Sequence, residues 1–222
     1  MELLEVAGMR YGTIEADPPW KFRNPGAMHG ANNKKGSRPT YKQMSNEELL
    51  AWKLPVEPAE QSHLWLWCPG AFVPVADLVI EAWGFRPTGA MRVWKKPQPA
   101  NGYWFGNDCE YVRLGVRGEA YRADAKRLLG YHPRALFEAP PARTDDRHSS
   151  KPDLFYEETI AISPGPYVSL FQRVPRAGWH GWGDEYPVLS AAETCRCGAA
   201  VGEGGFCPPC WRRFGSSLAH LV

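Results

Sequence analysis

Residues Ala16-Asp17-Pro18-Pro19-Trp20 put a carboxylate, two rigid residues and a large aromatic ring into five positions. Two successive prolines cannot continue a strand interior or a helix, and Pro18 drives Asp17 out of the helical region. The backbone therefore leaves the preceding strand-like run, Tyr11-Gly12-Thr13-Ile14-Glu15, in a fixed shape. Such a turn presents one carboxylate, nearby backbone carbonyls and one aromatic face. These groups suit a planar base carrying an exocyclic amine. The amine would donate to Asp17 and to a neighbouring carbonyl, while Trp20 stacks on the ring. A proline-rich surface turn with a packing Trp uses the same residues, so the motif alone leaves both readings open.

A second constellation lies near the other end. Cys195-Arg196-Cys197-Gly198 and Cys207-Pro208-Pro209-Cys210 form two close pairs separated by nine residues. Four thiolates at this spacing read as a structural Zn²⁺ site made by Cys195, Cys197, Cys207 and Cys210. The first pair has one intervening residue where two is usual. A segment this short cannot build a core, so a metal would supply its stability. Four Cys ligands leave no open position for catalysis. Trp211, Arg212, Arg213 and Phe214 follow and could touch nucleic acid or a partner. Cys68 and Cys109 fall in strand-like runs and are expected to be buried, inert thiols.

The composition bounds the rest. The chain has 222 residues and a formal net charge of +2, so any nucleic-acid contact must come from local patches rather than a global positive field. No apolar run approaches membrane-spanning length and no secretory signal pattern opens the chain, so a cytoplasmic protein is expected. In a reducing compartment the six cysteines serve as thiols or metal ligands.

Strands and helices alternate along the chain. A strand is expected over 11–17, then a long polar loop over 21–40. Ser45-Asn46-Glu47-Glu48 is a capping box opening a short helix that ends near Trp52. His63 to Cys68 reads as a buried strand and 72–83 as an amphipathic helix. Strands follow at 88–94 and 110–116, and 119–133 is ambiguous. A short strand is expected at 135–138, a helix from Ser150 to about 162 and a strand at 167–171. Trp179 to Tyr186 reads as an aromatic loop. This order argues for a Rossmann-like, mostly parallel α/β sheet with helices on both faces. Residues 1–188 form the main domain, 189–193 a linker and 194–222 the zinc-ribbon-like tail. In such sheets ligands sit beyond the carboxyl ends of the strands, where Asp17 falls.

The motifs also occur in a recognisable order. Ala-Asp-Pro-Pro-Trp is followed by Tyr41, Met44-Ser45-Asn46-Glu47-Glu48-Leu49, Leu64-Trp65-Leu66-Trp67 and Trp83-Gly84-Phe85. Then come Trp94-Lys95-Lys96, Glu110 before Leu114-Gly115-Val116-Arg117-Gly118, and His148-Ser149-Ser150-Lys151-Pro152-Asp153. Ser163-Pro164-Gly165, Leu170-Phe171-Gln172-Arg173 and Trp182-Gly183 close the series. Over roughly residues 10–186 the chain resembles the Asp-Pro-Pro-Trp adenine-N6 methyltransferases. That family includes the catalytic subunit of the messenger-RNA adenosine methyltransferase and its bacterial and phage relatives.

The resemblance implies S-adenosylmethionine as methyl donor and a permuted order, with the catalytic motif ahead of the main donor-binding strand. It places Asp17, Pro18, Pro19 and Trp20 at the acceptor amine, with Asp17 also bordering the donor, and Tyr41 closing the pocket. It assigns Lys151 to the methionine carboxylate, and Phe171 and Arg173 to the adenosine and ribose. Asp184 and Glu185 stand where relatives have Asn followed by Gln or Glu against the donor nucleoside. Ser169 stands where many members have Glu, and Asp184 replaces Asn; both departures bear on ribose recognition.

The expected activity is adenine-N6 methylation of DNA, as in a phage or bacterial modification enzyme, with RNA as the alternative polymer. An inactive nucleic-acid-binding scaffold subunit and an enzyme acting on free nucleotides are the other readings. A homodimer or a heterodimer is compatible with the family. Phosphate contacts are expected from Lys34, Lys35 and Arg38, from Arg122, Lys126 and Arg127, and from Arg143 and Arg147. Each group would look the same as a solvated surface. Tyr103, Trp104 and Phe105 could stack on bases.

Overall fold

The computed structural model describes residues 9–22, 42–100, 105–119, 124–142, 150–172 and 176–183. Seven strands form one sheet: β1 (Arg10–Ala16), β2 (Glu57–Cys68), β3 (Arg86–Ala100), β4 (Asn107–Arg117), β5 (Leu136–Glu138), β6 (Tyr167–Leu170) and β7 (Trp179–Trp182), in the spatial order β5-β3-β4-β2-β1-β6-β7. Helices α1 (Asn46–Ala51), α2 (Val73–Ala82), α3 (Ala125–Leu129) and α4 (Asp153–Ile162) complete the described elements. The pairs β1–β2, β1–β6, β3–β5 and β6–β7 are parallel, whereas β4 runs antiparallel to both β2 and β3. The result is a mostly parallel, mixed sheet consistent with a Rossmann-like methyltransferase fold.

Residue alternation sorts the sheet into two faces. Ile14, Ala16, Leu64, Leu66, Val168 and Leu170 pack with Leu49 of α1 and Ala76, Val79 and Ile80 of α2. Trp65, Trp67, Trp94, Val112 and Tyr167 face the other way, against Phe155 and Tyr156 of α4. Helix α4 is tied down at its middle and at its C-terminal end. Ser163, just past its end, accepts from Trp65 Nε1 at 2.9 Å and lies 2.8 Å from His63 Nδ1. Within α4, Glu158 forms a buried ion pair with Arg92 of β3. The start of α4, and Lys151 just before it, therefore has a fixed place over the sheet.

Strand β1 approaches the chain after α4 too closely for any side chain at one point. A Cβ at Gly12 would come within 2.5 Å of the Gly165 carbonyl oxygen and 2.6 Å of that of Pro164. Thr13 completes the contact by donating its hydroxyl to Pro164 O at 2.6 Å. This seam brings β6 beside β1, with Ile14 opposite Val168 and Ala16 opposite Leu170.

The expected strands and helices are present, with three differences. Residues 179–182 form strand β7 rather than a loop, because Trp179 is buried against Tyr156 and Tyr167 and its strand pairs with β6. The ambiguous stretch contains the short helix α3, capped by Asp124, which accepts from the Arg127 N–H. Strands β2 and β3 extend well beyond the apolar runs that announce them, since β3 pairs along β4 and both carry polar residues. No described helix is long and apolar enough to cross a membrane. The Cys-containing segment 194–222 lies outside the described residues.

Candidate active site

Asp17 is the first residue past β1, between β2 and β6. One neighbour follows β1 closely in the chain and the other arrives late, which makes this the switch point where open α/β sheets bind ligands. The Asp17 N–H donates to Leu170 O at 3.4 Å. Beyond it the turn is held by its own backbone: Trp20 N–H donates to Pro18 O at 2.9 Å, and Met44 N–H donates to Pro19 O at 2.8 Å. The Pro18 carbonyl keeps a second lone pair for an incoming donor.

Trp20 corrects an expectation. Its indole is only 4% exposed, stacks on Phe72 at 4.9 Å, and donates from Nε1 to Trp67 O at 2.9 Å. The ring is enclosed by the protein rather than offered to a base. Apolar contacts outweigh exposure for so large a ring, and its N–H finds a buried carbonyl. Trp20 therefore acts as the anchor that holds the Asp-Pro-Pro turn against the core.

On the α4 face, four charges alternate in a row. Lys151 Nζ lies 2.7 Å from Asp17 Oδ2 and 2.8 Å from Glu110 Oε2, and Glu110 pairs in turn with Lys96. Period-two alternation explains the placement: Lys96 follows Trp94 on the same face, and Glu110 precedes Val112 on it. Lys151 is 8% exposed and its ammonium lies 5.1 Å from the centre of the Trp67 ring. Burial disfavours the ammonium, yet the Asp17 and Glu110 carboxylates outweigh it and hold the pKa above the ordinary lysine value. Burial likewise opposes the Glu110 carboxylate, but Lys151 and Lys96 bring its pKa below the usual carboxylate range. The formal charges of the four side chains in the row sum to zero.

Arg176 supports this row from behind. Its guanidinium donates to Lys151 O at 2.6 Å, pairs with Asp153, and lies 3.8 Å from the centre of the Tyr156 ring. Neither Glu110 nor Arg176 stands out as a site residue in the sequence. The alternation in 107–117 was a usable signal for the first; nothing local marks the second.

Glu15 is a buried carboxyl beneath the same row. Its side chain accepts from the Ser169 hydroxyl on the adjacent strand, where the two residues are register partners. Ser169 is thus enclosed and engaged, so the departure from Glu at this position does not touch ribose in this arrangement. Burial pushes the Glu15 pKa up to about 7; the Ser169 hydrogen bond opposes this, and Asp17 adds to it. The folded chain then favours the neutral carboxyl. Stability from this group is full below its ordinary value of 4.5 and is lost as pH rises toward 7. Urea unfolding at about pH 5 and about pH 8 should show a smaller loss for Glu15→Gln than for wild type, by roughly 1.4 kcal/mol per unit of pKa removed. Equal losses would show that Glu15 titrates normally.

The other side of Asp17 is aromatic. Phe171, the first residue past β6, has φ +60° and packs on Trp52 at 4.9 Å and Trp182 at 5.7 Å. The next residue, Gln172, is 6% exposed, and neither its amide nitrogen nor its amide oxygen has a partner. The left-handed Phe171 thus lies at the edge that carries Asp17, beside two tryptophan rings. Lys151 adds a cation with three donors, of which the two carboxylates take two.

Tyr41, Arg173, Asp184, Glu185, Cys195, Cys197, Cys207 and Cys210 lie outside the described residues, as do Lys34, Lys35, Arg38, Tyr103, Trp104, Arg122, Arg143 and Arg147. Lys126 and Arg127 are exposed on α3, and Phe105 is 79% exposed. Cys68 is buried, which pushes its thiol up to about 12, but Cys109 is only partly covered. Among the described residues no three His, Cys, Asp or Glu side chains group as a metal site.

The MT-A70 family model matches residues 11–185, from the start of β1 past the end of β7. The chain belongs to the MT-A70 family. This is the family of the Asp-Pro-Pro-Trp adenine-N6 methyltransferases, which includes the messenger-RNA methyltransferase catalytic subunit, and its methyl donor is S-adenosylmethionine. No curated protein matches the chain. MT-A70 membership makes the chain an S-adenosylmethionine-dependent adenine-N6 methyltransferase by family.

Proposed function

We propose that this MT-A70 protein transfers a methyl group from S-adenosylmethionine to N6 of adenine in DNA, with Asp17 at the acceptor amine and Lys151 at the donor carboxylate. The observation that carries the reading is the Asp17–Lys151 pair at 2.7 Å, at the carboxyl edge of β1. An inactive scaffold would need neither group.

When bound, the donor supplies a methyl group activated by its sulfonium. The adenine amine is a poor nucleophile because its lone pair is delocalised into the ring. Hydrogen bonds from its two protons to the Asp17 carboxylate and the Pro18 carbonyl would localise that lone pair and aim it. As the N–C bond formed, the methyl–sulfur bond would break and neutral S-adenosylhomocysteine would leave; the Asp17 carboxylate would stabilise the positive charge developing on the amine at a fixed position until the amine lost one proton to solvent. The Lys151 ammonium at 2.7 Å orients the Asp17 carboxylate as a hydrogen-bond acceptor. Lys151 can reach a donor carboxylate with its remaining proton, so one side chain ties the two halves of the site together.

A duplex would have to extrude its target base to reach this edge. The exposed Lys126 and Arg127 suit a phosphate backbone of either polymer. DNA is the polymer we propose, with RNA as the alternative that the incorporation test separates from it. We assign Cys195, Cys197, Cys207 and Cys210 to a structural zinc; metal analysis of the purified chain should give about one Zn²⁺ per protein, lost in Cys207→Ser.

The test of the polymer is incorporation of labelled methyl into duplex DNA, single-stranded DNA and RNA across a salt series. Methylation of DNA that falls steeply with salt supports the reading, since phosphate contacts release counterions. Preference for RNA would overturn the DNA assignment, and a salt-insensitive reaction on free nucleotides would overturn the polymer assignment.

A further inference from the structure

We propose that Lys96 is a positioning residue for methyl transfer: it holds Glu110 so that Lys151 keeps one N–H for the carboxylate of the methyl donor. The proposal deepens the reading above and rests on the role given there to Lys151.

Register places the pair. Trp94 of β3 is opposite Glu110 of β4. Lys96, two residues past Trp94, shares its face and is the diagonal neighbour of Glu110, a spacing that long side chains span across a sheet. The two groups pair, and each side chain is only 17% exposed. The adjacent pair, Lys95 with Glu138, is 44% and 68% exposed and has the character of an ordinary surface contact. Lys96 Nζ also lies 5.3 Å from the centre of the Trp94 ring. Holding a lysine in this way costs side-chain freedom, and the ammonium is turned to Glu110 rather than spread toward solvent.

The oxygens of Glu110 are divided between two cations. Oε1 pairs with Lys96, and Oε2 lies 2.8 Å from Lys151 Nζ. Asp17 Oδ2 takes a second Lys151 proton at 2.7 Å. An ammonium carries three donors, so one remains. Without Lys96 the row would offer Glu110 only the Lys151 ammonium. A largely covered carboxylate would then turn both oxygens onto that one cation, because a charge left unpaired there is costly. The remaining proton would be taken, and the row would carry one excess negative charge beside the place of the donor carboxylate. Both changes oppose an incoming anion.

The test is calorimetric titration of the full-length protein with S-adenosylhomocysteine and with its decarboxylated analogue. Lys96→Met should lose about tenfold in affinity for S-adenosylhomocysteine and less than about threefold for the analogue, which has no carboxylate to repel. Lys96→Arg keeps the cation and should stay within about threefold of wild type. In a Glu110→Gln background, Lys96→Met should cost less than about threefold, because the carboxylate it restrains is gone. Unchanged affinity in Lys96→Met overturns the proposal, and a raised KM for the nucleic acid would then move Lys96 to the phosphate backbone. An equal loss for both ligands, including loss through misfolding, would mark a structural role and overturn it too. So would an equal cost in the Glu110→Gln background, which would mean that Lys96 acts on the donor directly. Wild type that binds neither ligand would overturn the donor reading itself, a result distinct from wild type binding and Lys96→Met matching it.

Discussion

Replacing Asp17 with Ala should lower kcat about a thousandfold or more while changing donor affinity only a few-fold. Asp17 presents a carboxylate just past the end of β1, held 2.7 Å from Lys151. Removing one preorganised electrostatic contact of this kind costs about a hundredfold to a thousandfold in rate. Here the same side chain also orients the nucleophile, so the loss should lie at or above the upper end. Donor affinity should survive because Phe171 lies on the other side of the turn and Lys151 keeps Glu110, at 2.8 Å. Steady-state kinetics with titration of S-adenosylhomocysteine separates the two quantities. Asp17→Asn should be nearly as slow, since an amide can accept but carries no charge. Equal loss of rate and donor affinity in Asp17→Ala would mean that Asp17 acts mainly by holding the donor.

Lys151→Met should destabilise the fold as well as abolish activity. The substitution preserves the aliphatic stem but leaves the Asp17 and Glu110 carboxylates facing each other across the space of the lost ammonium. Removing one partner from a buried charge pair costs about 3 to 5 kcal/mol, because the remaining charge is stranded. Lys96 still neutralises Glu110, so about 3 kcal/mol is expected. Chemical denaturation measures it. The double variant Lys151→Met with Glu110→Gln should recover part of that loss, since the stranded charge is gone, and should remain inactive. A double variant less stable than the single would show that Glu110 stabilises the fold independently of Lys151.

Much of this arrangement was legible in the sequence, and the reasons are local. The double proline makes the turn after β1 visible without any tertiary information. The capping box at Ser45 is present as read, with Ser45 accepting from the Glu48 N–H and Glu48 accepting from the Ser45 N–H. The apolar run from His63 to Cys68 is buried as its composition requires. What escaped reading depends on contacts between distant segments. Trp20 looks like a stacking platform until Phe72 and Trp67 are known to enclose it. Glu15 and Ser169 are 154 positions apart, and only the pairing of β1 with β6 joins them. Arg176 reaches the Lys151 carbonyl from beyond α4 and β6, and nothing local in the sequence marks it. Strand β7 hides because its short Trp179-His180-Gly181-Trp182 run has the glycine content of a loop, and pairing with β6 makes it a strand.

The antiparallel placement of β4 has a consequence for the site. It brings Glu110, from the end of β4 near Cys68 of β2, to the same edge as Asp17. A purely parallel sheet would have presented the opposite end of that strand. The alternating row of Lys96, Glu110, Lys151 and Asp17 thus depends on one strand reversing direction, and no single motif contains more than one of its members.

The most direct measurement is identification of the methylated nucleoside. Duplex DNA is incubated with the full-length protein and methyl-labelled S-adenosylmethionine, hydrolysed, and its nucleosides separated, with Asp17→Ala in parallel. Label in N6-methyladenine that disappears in the variant is the predicted result. Label in another nucleoside, or N6-methyladenine formed equally well by Asp17→Ala, would contradict the assignment of Asp17 to the acceptor amine.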